Sequence, residues 1–352
     1  MTRSRGLRRF QKGRPTRGDK FAWLDGLVVA TSNVTIVLDP IKLRKLSPKS
    51  RVLVSHAHSD HTRGFGHKGT KQSTIETREI HSALNSHKVS NFKPIDLNHK
   101  VTIDDIEVKA LNAGHMLGSA QYLLHTPSTS ILYTGDINCV DTLTTKAAQP
   151  HKCDVLVIEA TYGSPFYHFP SRETIYAGVV EWAVEMIKQG CIPCLHVYAA
   201  GKAQEIVRLF NLYTHLPVIV NPVLDGVNTA YRKGGHALEW MTSTSTDGSE
   251  ILEKNPCVYV TTPNDRRSIG RKTGRAYATG WALSLGGRTA AFPLSSHADF
   301  EQLMSFVKAC EPEKVYIFTG FAEELGRSIK SELGLEASGL PAINQRTLFE
   351  DY

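Results

Sequence analysis

Short apolar runs separated by turn residues fill the first third of the chain. Residues 26–30 and 34–38 are β-branched runs split by Thr31-Ser32-Asn33, a spacing that predicts a hairpin. A strand is predicted at 51–54, a helical segment near 76–86, and further strands at 101–103, 106–111, 121–125 and 130–134. The apolar strand at 154–158 marks a change of pattern. An amphipathic stretch at 172–188 predicts a helix, and strands at 191–198, 217–220 and 257–262 follow with glycine turns and helical openings between them. That alternation predicts a small α/β unit with a parallel sheet, before a last strand at 314–318.

The chain has 352 residues, more than a single core usually supports, so two domains or one domain with an insertion is the expectation. No apolar run is long enough to cross a bilayer and no secretory h-region is present, which predicts a soluble, intracellular protein, cytoplasmic or nucleoid-associated, with no membrane partner. Six scattered cysteines suit reduced thiols. Cys191 and Cys194 form the only close pair; without a second pair to complete a zinc ribbon they read as part of a buried strand.

Formal net charge is +7, much of it at the N-terminus. Arg3, Arg5, Arg8, Arg9, Lys12, Arg14, Arg17 and Lys20 face only Asp19, and Gly6, Gly13, Pro15 and Gly18 interrupt any helix. Residues 1–18 therefore read as a basic flexible tail suited to a polyanion; a solubilising tail or an organelle presequence is the alternative.

The densest chemistry lies behind the strand at 51–54, in Ser55-His56-Ala57-His58-Ser59-Asp60-His61. Residues two apart project to one side of an extended strand end, so His56 and His58 point together, and Asp60 and His61 return to them from the following turn. Imidazoles mixed with a carboxylate suit zinc and its neighbours, and they leave room for a second ion. Two more strand-end residues, His115 and Asp136, supply a third imidazole and a carboxylate able to bridge both ions.

In this order Asp39, the histidine loop, Gly114-His115 and Gly135-Asp136 resemble the metallo-β-lactamase fold, a four-layer αββα sandwich. The resemblance implies His56, His58 and His115 on one ion, Asp60 and His61 on the other, Asp136 bridging, and Asp39 in support. Residues 154–163 resemble the acidic motif that opens a β-CASP nuclease insertion, with Glu159 as its acid. Phe292-Pro293-Leu294-Ser295-Ser296-His297-Ala298-Asp299 resembles the element that closes the insertion. The domains implied are a metallo-β-lactamase domain at 19–163 and 287–352 and an α/β insertion at 164–286. Asp60, Glu159 and His297 are the residues assigned to catalysis, with His297 a general acid supported by Glu159.

Thr319 stands where RNA-cleaving β-CASP proteins carry a ligating histidine, so the second zinc should bind more weakly, with manganese or magnesium as substitutes. That departure is shared with Artemis-like DNA nucleases. Residues 161–167 and 198–204 resemble ligase-associated DNA exonucleases. The implied function is a metal-dependent DNA exonuclease acting in repair, with a ligase as a candidate partner. An RNA-processing nuclease of the same family and a small-molecule hydrolase of the superfamily are the alternatives. Lys202, at a predicted helix start, and the cluster Arg266, Arg267, Arg271, Lys272 and Arg275 are candidates for contacts with nucleic-acid phosphates.

Overall fold

The computed structural model describes residues 20–340 except 24, 25, 45, 86, 87, 266, 268 and 286–288. The basic tail at 1–18 and Arg266 lie outside the described residues.

The predicted hairpin is the start of a six-stranded sheet. β1 (Lys20–Trp23), β2 (Leu27–Ala30) and β3 (Thr35–Leu38) pair antiparallel, and β4 (Arg51–Leu53) then joins β3 in parallel. β5 (Lys71–Ser73), helix α1 (Ile75–Leu84) and β6 (Phe92–Pro94) complete the sheet. Thr74 caps α1 by accepting a hydrogen bond from the Thr77 amide at 3.1 Å.

The second sheet opens with an antiparallel meander, β7 (Lys100–Ile103), β8 (Ile106–Asn112), β9 (Ala120–His125) and β10 (Ser130–Tyr133), and β11 (Val155–Ile158) pairs in parallel with β10. The chain then leaves to build a third sheet. α2 (Arg172–Lys188), capped by Ser171, leads to β12 (Ile192–His196), α3 (Lys202–Tyr213), β13 (Val218–Val220) and α4 (Val223–Lys233). β14 (Met241–Thr242), α5 (Thr246–Lys254), β15 (Val258–Thr261), β16 (Thr273–Ala278) and β17 (Ala290–Phe292) follow, and every strand pair in this sheet is parallel. After α6 (Phe300–Cys310), β18 (Lys314–Ile317) returns beside β11; α7 (Ala322–Ser328) and β19 (Glu336–Gly339) finish the second sheet.

Alternation along the strands sets the layers. In β10, Ile131 and Tyr133 face the first sheet and share a core with Leu38, Leu53 and Val108, whereas Leu132 faces Leu303 and Val307 of α6. On the outer side of the first sheet, Val52 and Val54 pack with Phe65, whose ring meets His81 of α1. This is the expected four-layer αββα sandwich carrying a small α/β insertion. The insertion's core joins α2, α3 and α4 to Ile80 of α1. The six cysteines are free thiols, and Cys191 and Cys194 are buried at β12. Among the described residues no helix is long and apolar enough to cross a membrane.

Two features differ from the sequence reading. β17 pairs with β16, so the third sheet runs to Phe292, past the boundary expected at 286. Polar or very short strands such as β5 (KQS), β14 (MT) and β16 (TGRAYA) were not predicted, because sheet neighbours rather than local apolar patterning define them.

Candidate metal centre and its proton donor

Parallel pairing puts the C-terminal ends of β3, β4, β10, β11 and β18 at one edge of the two packed sheets. Asp39, the histidine loop, Asp136, Glu159 and Thr319 each follow one of these ends.

Asp39 is buried and sits at φ 44°, a left-handed conformation that aspartate tolerates better than most residues. Its carboxylate accepts from the Ser55 amide at 2.8 Å, the Ser55 hydroxyl at 2.5 Å, His61 Nδ1 at 2.7 Å and the Tyr133 hydroxyl at 3.0 Å. Gly135, at φ 54°, passes so close that a Cβ there would lie 2.8 Å from the Ser55 side chain. Only glycine lets the strand end that carries Asp136 approach the histidine loop this closely.

Each histidine of the cluster has one ring nitrogen engaged by protein and the other turned inward. His56 Nδ1 donates to Ser55 Oγ at 2.9 Å, His58 Nε2 to the Ala200 carbonyl at 3.3 Å, and His115 Nδ1 to the Ser296 carbonyl at 2.8 Å. Partners of this kind fix the tautomer and aim the free lone pair, as around bound metals. Burial is the main force pushing all three imidazoles below their ordinary pKa, His58 to about 3, so they are neutral.

The inward atoms converge. His58 Nδ1 and His115 Nε2 lie 3.0 Å apart, and His56 Nε2 is buried with no hydrogen-bond partner among the described residues, 3.4 Å from Asp136 Oδ2. One donor atom from each of His56, His58, His115 and Asp136 falls within 4.8 Å of the others. Neutral imidazole lone pairs facing one another repel unless a cation lies between them, and three nitrogens with one oxygen make a donor set that fits zinc.

A second set adjoins the first. His61 Nε2 lies 3.5 Å from Asp136 Oδ1 and 3.6 Å from Asp60 Oδ2. Asp136 therefore turns one oxygen toward each set, and burial raises its carboxyl to about 7 in spite of His61. Asp60 is the open side of the centre, with 58% of its side chain exposed. Thr319 is buried at the end of β18.

Glu159 is fully buried and accepts from the Ile137 amide at 2.8 Å, from the Thr161 amide at 3.2 Å and from the Thr161 hydroxyl. His297 Nδ1 lies 2.9 and 3.0 Å from its two oxygens. Burial opposes the charge on His297, but the Glu159 carboxylate outweighs it and raises the imidazole pKa. The His297 ring stands 4.6 Å from that of His115, and donor atoms of Asp136, Glu159 and His297 lie within 4.8 Å of one another. The Glu159–His297 pair thus adjoins Asp136.

The candidate phosphate contacts are dispersed. Arg271 donates to the Leu252 and Asn255 carbonyls, and the Lys272 carbonyl accepts from Ile192 at the start of β12. Both stand at the end of the third sheet opposite to the one that meets the histidine loop. Arg275 is exposed within β16, and Arg267, bonded to Ser243 at 3.1 Å, is at the near end. The cluster does not form one rim, because residues 273–278 are strand rather than loop. Lys202, by contrast, is buried beside the centre at the first turn of α3.

Several contributors left no local signal. Tyr133 and the Ala200 and Ser296 carbonyls act on Asp39, His58 and His115 from distant positions in the chain. An aromatic cluster borders His297: Tyr162 lies 5.9 Å from it and 4.8 Å from Trp281, while Tyr167 lies 4.9 Å from Tyr162.

Residues 22–190 match the model of the beta-lactamase superfamily domain. The fold superposes on a crystal structure of a protein of unknown function from Enterococcus faecalis with TM-score 0.64, covering 95% of this chain and 97% of the other at 15% identity. The chain thus carries a metallo-β-lactamase superfamily domain. Its relatives place it among the β-CASP proteins, a branch that includes nucleases. A probable DNA ligase of Opitutus terrae is 32% identical over 314 residues, 86% of this chain and 30% of the relative. An RNase J-like protein of Methanocaldococcus jannaschii is 29% identical over 255 residues, 60% of this chain and 59% of the relative. The chain thus spans less than a third of the first relative's length and less than two thirds of the second's.

Asp39→Asn keeps the shape and the tolerated backbone conformation but removes the charge that holds His61 and Ser55. Zinc affinity, read by competition with a chromophoric chelator, should fall about 10- to 100-fold while unfolding stays cooperative. Unchanged affinity would show that Asp39 does not orient the ligands.

Proposed function

We propose that the protein is a metal-dependent phosphodiesterase that cleaves nucleic acid, with DNA as its preferred substrate and digestion from an end as its mode, in the service of DNA repair. One observation carries the reading: Asp136 turns an oxygen toward each of two metal-donor sets and adjoins the buried Glu159–His297 pair. A small-molecule hydrolase of the superfamily would use the donor sets but not this proton donor or the insertion.

His56, His58, His115 and Asp136 would hold zinc, and Asp60, His61 and Asp136 the second ion, more weakly because Thr319 offers no imidazole; manganese or magnesium would serve there. When bound, the ions supply Lewis acidity toward phosphoryl oxygens and make water acidic enough to act as a nucleophile near neutral pH. His297, kept protonated by Glu159, gives its proton to the departing sugar oxygen. Asp60, at the open side, completes the catalytic set. The aromatic cluster, with Phe166 61% exposed at its edge, offers ring faces on which bases can stack.

DNA is supported by the match along 86% of this chain to a protein named a probable DNA ligase, and a ligase acting on the same DNA is the partner that match suggests. The second reading, RNA processing, is favoured by the RNase J-like relative.

The test is degradation of matched end-labelled single-stranded DNA and RNA with zinc, manganese or magnesium, run beside His58→Ala. Preferred loss of DNA, absent in the variant, is expected, and the label position gives the direction. Preferred loss of RNA would select the second reading, and full activity of His58→Ala would remove the metal centre from the chemistry. Glu159→Gln should lower kcat about 10²- to 10⁴-fold with metal content unchanged. An unaltered kcat would deny His297 its role as proton donor.

A further inference from the structure

Lys202 is 4% exposed, yet its ammonium has no hydrogen-bond or ion-pair partner among the described residues. The ammonium lies over the face of Tyr198, 4.8 Å from the ring centroid. The nearest acid on its own helix is already taken, since Glu205 accepts from Arg172 at 2.9 Å and from the Tyr176 hydroxyl. Arg172 therefore takes the ion pair with Glu205, and Lys202 forms none with it.

The turn that carries it lies on the metal centre. The Ala200 carbonyl accepts from His58, and Gly201, at φ 91°, is so near that a Cβ there would lie 3.7 Å from the His115 carbonyl and 3.8 Å from Ser296 Oγ. The Lys202 charge is felt at His58, His115 and His297. α3 has 12 residues, and the positive end of its dipole opens on the same spot. Burial opposes the charge on Lys202, and the carboxylates of Glu205, Asp136 and Glu159 favour it. Burial lowers the lysine to about 8, which leaves it charged at neutral pH.

The geometry points to a phosphate subsite formed by Lys202 and the first turn of α3, which grips a non-bridging oxygen of the nucleic-acid backbone at the metal centre. The ligand class is a phosphodiester, or a terminal phosphate of the strand, and the inference rests on the nuclease reading above. The Lys202 ammonium lies over the Tyr198 ring, and Arg172 ties Glu205 of α3 to the Ser295 carbonyl in the loop that carries His297.

The test uses the zinc-loaded full chain and a fluorescein-labelled phosphorothioate oligonucleotide that resists cleavage, with binding read by anisotropy at several salt concentrations. Lys202→Met should weaken binding about tenfold. The slope of log K against log salt should become shallower by about 0.7. Zinc content should match that of the wild type. Equal affinity and slope in both proteins would overturn the subsite and leave the nuclease reading standing. If the wild type binds no oligonucleotide, the nuclease reading fails instead, and inorganic phosphate decides the subsite: a larger phosphate-induced rise in Tm for wild type than for variant upholds it, and an equal rise overturns it. Lys202→Gln replaces the methionine variant if the latter does not fold, with the same loss expected.

Discussion

Four donors converge on the buried carboxylate of Asp39, and the geometry of the centre depends on that convergence. The carboxylate holds the Ser55 amide and hydroxyl, and with them the first residue of the histidine loop; through His61 Nδ1 it fixes the ring that serves the second donor set; through Tyr133 it ties the loop to the second sheet. Charge-assisted bonds of this kind are strong in a dry site and unforgiving of a lost partner. The left-handed backbone at Asp39 is the conformational cost of placing the carboxylate there.

Parallel strand pairing does the rest. Residues that follow β3, β4, β10, β11 and β18 come from almost the whole length of the chain, yet the pairing brings their ends to one edge. The insertion then lowers α3 onto that edge, contributes the Ala200 carbonyl to His58, and returns through the loop that presents Ser296 to His115 and His297 to Glu159. The histidine cluster, the Glu159–His297 pair and the position of Lys202 therefore depend on the docking of two cores.

What could be read in the sequence follows from how local each signal is. The histidine loop was legible because its ligands lie within six residues and obey the two-residue period of a strand end. α2 was legible to its termini because a capping serine and an apolar period coincide. β16 was not, since its glycine and arginine lie in a basic, glycine-containing stretch that resembles a solvated loop. Lys71, fully buried in β5 with no partner for its ammonium among the described residues, shows how far sheet pairing overrides composition. Lys202 read as a candidate contact to the nucleic-acid backbone, and its burial was not legible because Arg172, which takes up Glu205, lies far upstream in the chain.

The central claim is that the inward nitrogens of His56, His58 and His115 are metal ligands rather than a buried histidine cluster. X-ray absorption at the zinc edge of the zinc-loaded protein tests it directly. The expected result is a first shell of nitrogen and oxygen at about 2.0–2.1 Å with the multiple scattering of about three imidazoles. A shell of oxygen alone, or one containing sulfur at about 2.3 Å, would contradict it.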